Sequence, residues 1–340
     1  SAAFAEGKYD VGASDTEIKM GHFNPYSGPV SAWGTVGKLQ SAFWKKINEE
    51  GGINGRKINF ISYDDAYSPP KAVEQSRRLV ESDQVLGLFN PMGTASNLAI
   101  QKYMNGMKVP QIFVSSGAIA FGNPSVYPWT MGWLNYASEG RVYARYLLEQ
   151  KPDAKVALFY QNDDFGKGFV NGFREALGDK AKTMIVGEAS YEISEPTIDS
   201  QIVTLKATGA DVLFNMSSPK FAAQAIRKLA DLNWKPMHFL TSSSAQIGST
   251  LGPAALSGLD WNKVRAARWA VLKQAGDDLT RENVMRQAAN LQQFSTPLLL
   301  PGVTISTSAT DYFPIEQLQL IQFNGHTWDF IGGVIDGSAE

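Results

Sequence analysis

Val85-Leu86-Gly87-Leu88-Phe89-Asn90, a Gly/Thr/Ser loop, a helix-like segment from Asn97 to Met107, and Val109-Pro110-Gln111-Ile112-Phe113-Val114-Ser115-Ser116 follow one another in that order. The plan returns further on: Asp211-Val212-Leu213-Phe214-Asn215, a Ser-rich loop from Met216 to Pro219, a helix-like segment from Phe221 to Leu232, and Lys235-Pro236-Met237-His238-Phe239-Leu240-Thr241-Ser242-Ser243. Short apolar runs bounded by turn residues read as strands buried on both faces, and a helix between two of them makes a βαβ unit of a parallel sheet. Each unit ends in hydroxyl-bearing residues. Ligands of open parallel sheets sit beyond the carboxyl ends of the strands, so two such units facing one another would line a cleft with both Ser-rich tips.

The rhythm extends outward from these two anchors. Glu17 to Phe23 alternates as a strand, Asn24-Pro25-Tyr26-Ser27-Gly28-Pro29 is a turn cluster, and Trp33 to Glu50 has helical period and stops at Gly51-Gly52. Arg56 to Tyr63 reads as the next strand, Asp64 to Pro70 as a loop and Lys71 to Ser82 as a helix. Beyond Ser116, an irregular stretch rich in Pro, Trp and Gly, Phe121 to Asn135, is where the chain would leave one lobe for the other. A helix from Ala137 to Gln150, a strand from Lys155 to Tyr160, a loop from Gln161 to Gly168 and a helix from Phe169 to Leu177 then repeat the pattern. The last third differs: helices are expected over Trp261 to Gln274 and Thr280 to Leu291, and a hairpin pairs Gln317 to Phe323 with Thr327 to Phe330 around Asn324-Gly325. The expected class is α/β: two similar Rossmann-like lobes with parallel sheets, joined by a hinge, with a ligand cleft between them.

Bulk properties narrow the function. The 340 residues, 44% of them hydrophobic, suffice for two ordinary cores. A formal net charge of -2 provides no basic field for nucleic acid or an anionic membrane. No window has the apolar length of a membrane span, and Ser1-Ala2-Ala3-Phe4-Ala5-Glu6 reads as the end left after processing or as an artificial start. With no cysteine there is no disulfide, thiolate metal site or thiol catalysis, which suits a bacterial envelope compartment.

Catalytic and metal motifs are weak. His22, His238 and His326 are isolated in sequence, so no metal site is expected. Asp64-Asp65 and Asp163-Asp164 are acid pairs at loop tips, where such pairs are solvated or cap helices. Ser68-Pro69-Pro70-Lys71 and Ser217-Ser218-Pro219-Lys220 match the Ser-x-x-Lys pattern of serine acyl-transfer enzymes without any supporting motif. No phosphate loop or dinucleotide fingerprint is present, and no cofactor is expected. What remains is a set of strand-end loops: Asn24 to Gly28, Asn90 to Ser96, Ser115 to Ile119, Asp163 to Gly166, Met216 to Pro219 and Thr241 to Ser244. Backbone N–H groups and hydroxyls at helix N-termini suit a carboxylate.

Several segments resemble the branched-chain amino acid (Leu/Ile/Val-binding) family of ABC-transporter substrate-binding proteins, with the type I periplasmic binding fold. They are Tyr26-Ser27-Gly28-Pro29, Asn48-Glu49-Glu50-Gly51-Gly52-Ile53-Asn54-Gly55-Arg56, Gly93-Thr94, Asn162-Asp163-Asp164-Phe165-Gly166, Pro196 to Gln201, Leu279 to Asn283, and Leu300-Pro301-Gly302. The resemblance implies a periplasmic, monomeric receptor without enzymatic activity, whose lobes close on a small-molecule carboxylate and present it to the membrane permease of an ABC importer. It implies an N-terminal lobe of residues 1–131 and 257–313 and a C-terminal lobe of residues 132–256 and 314–340. By position, the first lobe would hold the ligand carboxylate with the Met92-Gly93-Thr94 and Ser116-Gly117-Ala118-Ile119 loops, Trp33 and Tyr26 would form a wall, and Ser27 would also bind the ligand. The second would add Phe165, Ser218 and Ser243.

Two departures from the family follow. Its amino-acid binders place an acid near the position of Ser243 to pair the ligand's ammonium and a hydroxyl near that of Ile119; an unpaired buried ammonium costs several kcal/mol. The expected solute is therefore a carboxylate with an apolar, aromatic body rather than an amino acid. After Leu256-Ser257-Gly258-Leu259-Asp260, several dozen residues that family members carry are absent: either a stretch is skipped under continuous numbering, or a real deletion would remove one hinge crossing and part of a pocket wall.

Overall fold

In a computed structural model, residues 7–245, 275–294, 303–324 and 327–338 are described. The chain divides into two units, Ser1–Leu134 with Asp260–Ile315 and Asn135–Leu259 with Glu316–Glu340.

In the first unit a short strand β1 (Lys8–Tyr9) precedes β2 (Glu17–Asn24), α1 (Gly34–Glu49), β3 (Lys57–Asp64), α2 (Pro69–Arg77), β4 (Gly87–Phe89), α3 (Thr94–Gly106) and β5 (Gln111–Ile112). All pairings of the four-stranded sheet are parallel and its order is β3-β2-β4-β5. α1 stops where the sequence turns to Gly51 and Gly52, with φ of 104° and 79°, values that glycine adopts without a Cβ penalty. β5 is shorter than the apolar run from Val109 to Ser116 suggests, because Phe113 takes a left-handed φ of 51° and breaks the ladder.

The second unit repeats the plan: α4 (Tyr136–Gln150), β6 (Val156–Gln161), α5 (Asp164–Leu177), a single turn α6 (Ala181–Met184), β7 (Ile185–Tyr191), α7 (Asp199–Ala207), β8 (Val212–Met216), α8 (Pro219–Asp231) and β9 (Met237–Leu240). Its sheet is also parallel, ordered β7-β6-β8-β9. Every residue of β6 and β8 is buried, as their unbroken apolar runs require. The edge strand β7, Ile-Val-Gly-Glu-Ala-Ser-Tyr, is half-exposed, so its apolar signal is too diluted for a sequence reading.

The later residues return to both units. β10 (Asp278–Leu279) pairs with β1, and the helix Arg281–Ala288 is capped by Thr280, whose side chain accepts from Asn283 N–H. Leu279, Val284, Val303, Ile305 and Ile315 join Ile18, Trp44 and Phe89 in the first unit's core. β11 (Gln317–Phe323) and β12 (Trp328–Asp336) form an antiparallel hairpin in the second unit. The helix expected from Trp261 to Gln274, the residues flanking Asp260, Leu300-Pro301-Gly302, and Gly325 with His326 of the hairpin turn lie outside the described residues. Among the described residues, no helix is long and apolar enough to cross a membrane.

Candidate functional site

In each sheet the chain steps from its first strand to one neighbour and then crosses to the other side, which puts a switch point between β2 and β4 and between β6 and β8. The loops after those strands are where ligands of open α/β sheets collect.

In the first unit, Asp64 organises the loop after β2. Its carboxylate accepts Tyr26 N–H at 2.9 Å, Ser27 N–H at 3.2 Å, Ser27 Oγ at 2.5 Å and Ala66 N–H at 2.9 Å. Partial burial works against the charge, but these donors prevail and hold its pKa below the ordinary carboxylate value. Ser27 is exposed with its hydroxyl committed to Asp64, whereas the Tyr26 hydroxyl turns to Ser62 Oγ at 2.6 Å. Trp33 is buried, its ring centroid 6.0 Å from that of Tyr67. A Cβ on Gly93 would come within 2.7 Å of the same Tyr67 ring, so Gly93, at φ 105°, has to be glycine on two counts.

That glycine is the N-cap of α3, and no side chain caps the helix there. The first-turn N–H groups of a helix have no intrahelical acceptor and carry the positive end of its dipole. Beside them, Thr94 Oγ1 and Ser116 Oγ lie 2.7 Å apart, and Ala118 N–H donates to Ser116 Oγ at 3.3 Å. Met92 bridges to Ser115, and Gly93 N–H donates to Ser115 O at 3.3 Å, so the loops after β4 and β5 form one surface. Met92, Gly93, Thr94, Ser116, Gly117 and Ala118 are all buried, whereas Ile119 is 75% exposed. Asp65, fully buried, accepts Ser96 Oγ at 2.5 Å and Tyr67 N–H at 3.3 Å, and burial pushes its pKa up to about 6.

The second unit is built differently. Asp163 caps α5, accepting Phe165 N–H at 3.1 Å and Gly166 N–H at 3.3 Å, so α5 begins five residues before the helix expected from Phe169. Gln161 Nε2 donates to Asp163 Oδ2 at 2.7 Å, and Tyr191 OH donates to Gln161 Oε1 at 3.1 Å. The same phenol lies 3.1 Å from Ser218 Oγ and accepts Ser218 N–H at 2.9 Å. Ser218 is therefore turned inward and fully buried. Phe165 is 1% exposed, edge-on to Tyr136 and Phe169. Ser244 Oγ donates to Ser217 O at 2.6 Å and ties the turn after β9 to the loop after β8; in that turn Ser243 is half-buried. Ser217 donates to Asn215 Oδ1 at 2.5 Å, while Lys220 Nζ lies over the Phe221 ring.

The structure thus gathers Met92, Gly93, Thr94, Ser116, Ala118 and, through Tyr67, Trp33 in one unit, and links Ser218 to the Ser243 turn in the other. The sequence reading missed Tyr67, Tyr191 and Glu139, and it took Asp65 for a solvated or capping acid, whereas Asp65 is fully buried on Ser96 and the Tyr67 N–H. Glu139, in the first turn of α4, bonds Ser242 beside Ser243, a contact between residues 103 positions apart that no local pattern announces. Among the described residues no three His, Cys, Asp or Glu side chains converge as metal ligands.

Comparison with known proteins agrees with this architecture. Residues 17–262 match the model of the periplasmic binding protein family. A Leu/Ile/Val-binding protein homolog from Brucella suis is 25% identical over 254 residues, 71% of this chain and 62% of the relative. Another from Brucella melitensis is 28% identical over 221 residues, 63% and 58% of the two chains. The chain therefore spans about three fifths of the length of these relatives. A fatty acid ABC transporter substrate-binding protein from Thermomonospora curvata superposes with a TM-score of 0.77 at 17% identity, covering 97% of this chain and 95% of the other. A leucine binding protein from Thermotoga maritima gives 0.75 at 15% identity, covering 94% and 99%. The fold is the type I periplasmic binding fold, and the chain belongs to the periplasmic binding protein family.

Proposed function

We propose that the chain is the extracytoplasmic receptor of an ABC importer, a periplasmic monomer that binds a small carboxylate with an apolar, aromatic body by lobe closure and delivers it to a membrane permease. The observation that carries this reading is the contrast between two helix N-termini. α5 is neutralised by its own Asp163, whereas α3 starts at an uncapped glycine next to the Thr94–Ser116 hydroxyl pair. A carboxylate fits the second kind of site. The exposed Ile119 and the wall of Trp33 and Tyr26 suit the apolar body, and the second unit would contribute Phe165, Ser218 and Ser243. The relatives' names favour a second reading, a branched-chain or other hydrophobic amino acid.

A thermal-shift series separates the two, because a ligand raises stability by the logarithm of its concentration over Kd. Benzoate and cinnamate are expected to raise Tm and leucine to leave it unchanged. A rise with leucine alone would replace the first reading with the second.

A further inference from the structure

Glu139 is 2% exposed, yet its carboxylate is surrounded by donors. Oε1 accepts Ser242 N–H at 2.7 Å and Tyr143 OH at 3.0 Å, Oε2 accepts Ser242 Oγ at 2.6 Å, and the Thr241 hydroxyl adds a further bond. The single Tyr143 hydroxyl proton is shared with Leu240 O at 2.9 Å, so Ser242 N–H, Ser242 Oγ and the Thr241 hydroxyl are the donors committed to the carboxylate. Three of the donors come from the turn after β9. Ser242 itself is exposed, so its hydroxyl stands between the buried acid and the outside. A cation approaching this rim meets a serine, not a charge.

We propose that Ser242 sets the ligand class at this rim: its hydroxyl keeps Glu139 in internal bonds and so bars ligands that carry a primary ammonium, and removing it turns Glu139 into an ammonium acceptor. The inference rests on the receptor reading in one respect, that this rim faces the solute. Burial pushes the Glu139 pKa up, and Ser242→Ala, which keeps the backbone N–H but opens a position on Oε2, leaves that buried carboxyl short of one donor. Such a group gains from any cation that can reach it.

Two half-ligands test the idea by isothermal titration calorimetry. Phenethylamine has an ammonium and no carboxylate, so it reads Glu139; 3-phenylpropionate has a carboxylate and no ammonium, so it reads the seat at α3. Ser242→Ala and Ser242→Gly are both expected to bind phenethylamine at least about tenfold more tightly than the wild type. Ser242→Thr, which keeps the hydroxyl, and the double variant Ser242→Ala with Glu139→Gln are expected to show no gain. Equal phenethylamine binding by wild type and both hydroxyl-free variants, with native circular dichroism, overturns the inference, as does a gain that survives Glu139→Gln. Failure of the receptor reading shows separately, as a wild type that ignores 3-phenylpropionate.

Discussion

Thr94 Oγ1 and Ser116 Oγ, 2.7 Å apart, join the first turn of α3 to the loop after β5, and both residues are at least 96% buried. Each hydroxyl can donate one hydrogen bond and accept others, so the pair can turn one proton toward an incoming carboxylate while the other holds the two loops together. Thr94→Val keeps the shape and loses that donor. Carboxylate affinity is expected to fall about 10- to 100-fold, the worth of a hydrogen bond to a charged group, while Thr94→Ser retains most of it. Calorimetric titration with benzoate checks both; equal affinity in Thr94→Val and wild type would remove α3 from the binding site.

Asp65 sets a pH dependence with a definite sign. Burial raises its pKa from 3.8 to about 6, against the pull of the Ser96 and Tyr67 donors. Between those values the folded chain holds a proton that the unfolded chain has released, so Asp65 contributes most at low pH and stability falls as pH rises toward about 6. Asp65→Asn cannot ionise. The stability of the wild type relative to that variant is expected to drop by on the order of 3 kcal/mol from about pH 4 to about pH 7, then level off. Urea denaturation across that range measures it, and a difference that grows with pH would contradict the assignment.

α4 and α5 pack at glycine distance. A Cβ on Gly172 would lie 2.1 Å from Ala137 O, and one on Gly140 2.2 Å from Phe169 O, both backbone atoms that cannot swing aside. Helix propensity alone favours alanine by about 1 kcal/mol at such positions. Overpacking reverses the sign: Gly172→Ala and Gly140→Ala are each expected to destabilise by about 1–3 kcal/mol or more, read as a lowered urea midpoint. A neutral or stabilising alanine would mean that the two helices separate more readily than their contact suggests.

The parallel sheets were legible because β4, β6 and β8 are buried on both faces, which leaves no room for polar residues in Leu213-Phe214 or Ala157-Leu158-Phe159. The half-exposed β7 carries Glu188 and Ser190, so its pattern dissolved. The site divided along the same line. Gly93 and Thr94 stood out only through the family resemblance, since the helix was expected to begin at Asn97 and not at Thr94, and Asp163 was foreseeable as a cap. Local chemistry could not reveal that Tyr191 draws Ser218 inward or that Glu139 reaches Ser242, since both depend on strand order and helix placement.

Ser217 and Lys220 have the spacing of an acyl-transfer pair but not its geometry. The Ser217 hydroxyl is fully buried and donates to Asn215 Oδ1, and Asn215 Nδ2 lies 3.1 Å from His238 Nε2. Lys220 Nζ sits 4.8 Å from the centroid of the Phe221 ring. An activated serine needs a base within hydrogen-bond reach and a path for substrate. The expected phenotype of Ser217→Ala is therefore structural: loss of about 1 kcal/mol, because Asn215 Oδ1 keeps its burial and loses its donor. Hydrolysis of p-nitrophenyl acetate, followed at matched protein concentrations, is expected to run at the same rate for wild type and variant. A wild-type rate that disappears in Ser217→Ala, with the melting temperature preserved, would put catalysis where this reading places only a buried hydrogen bond.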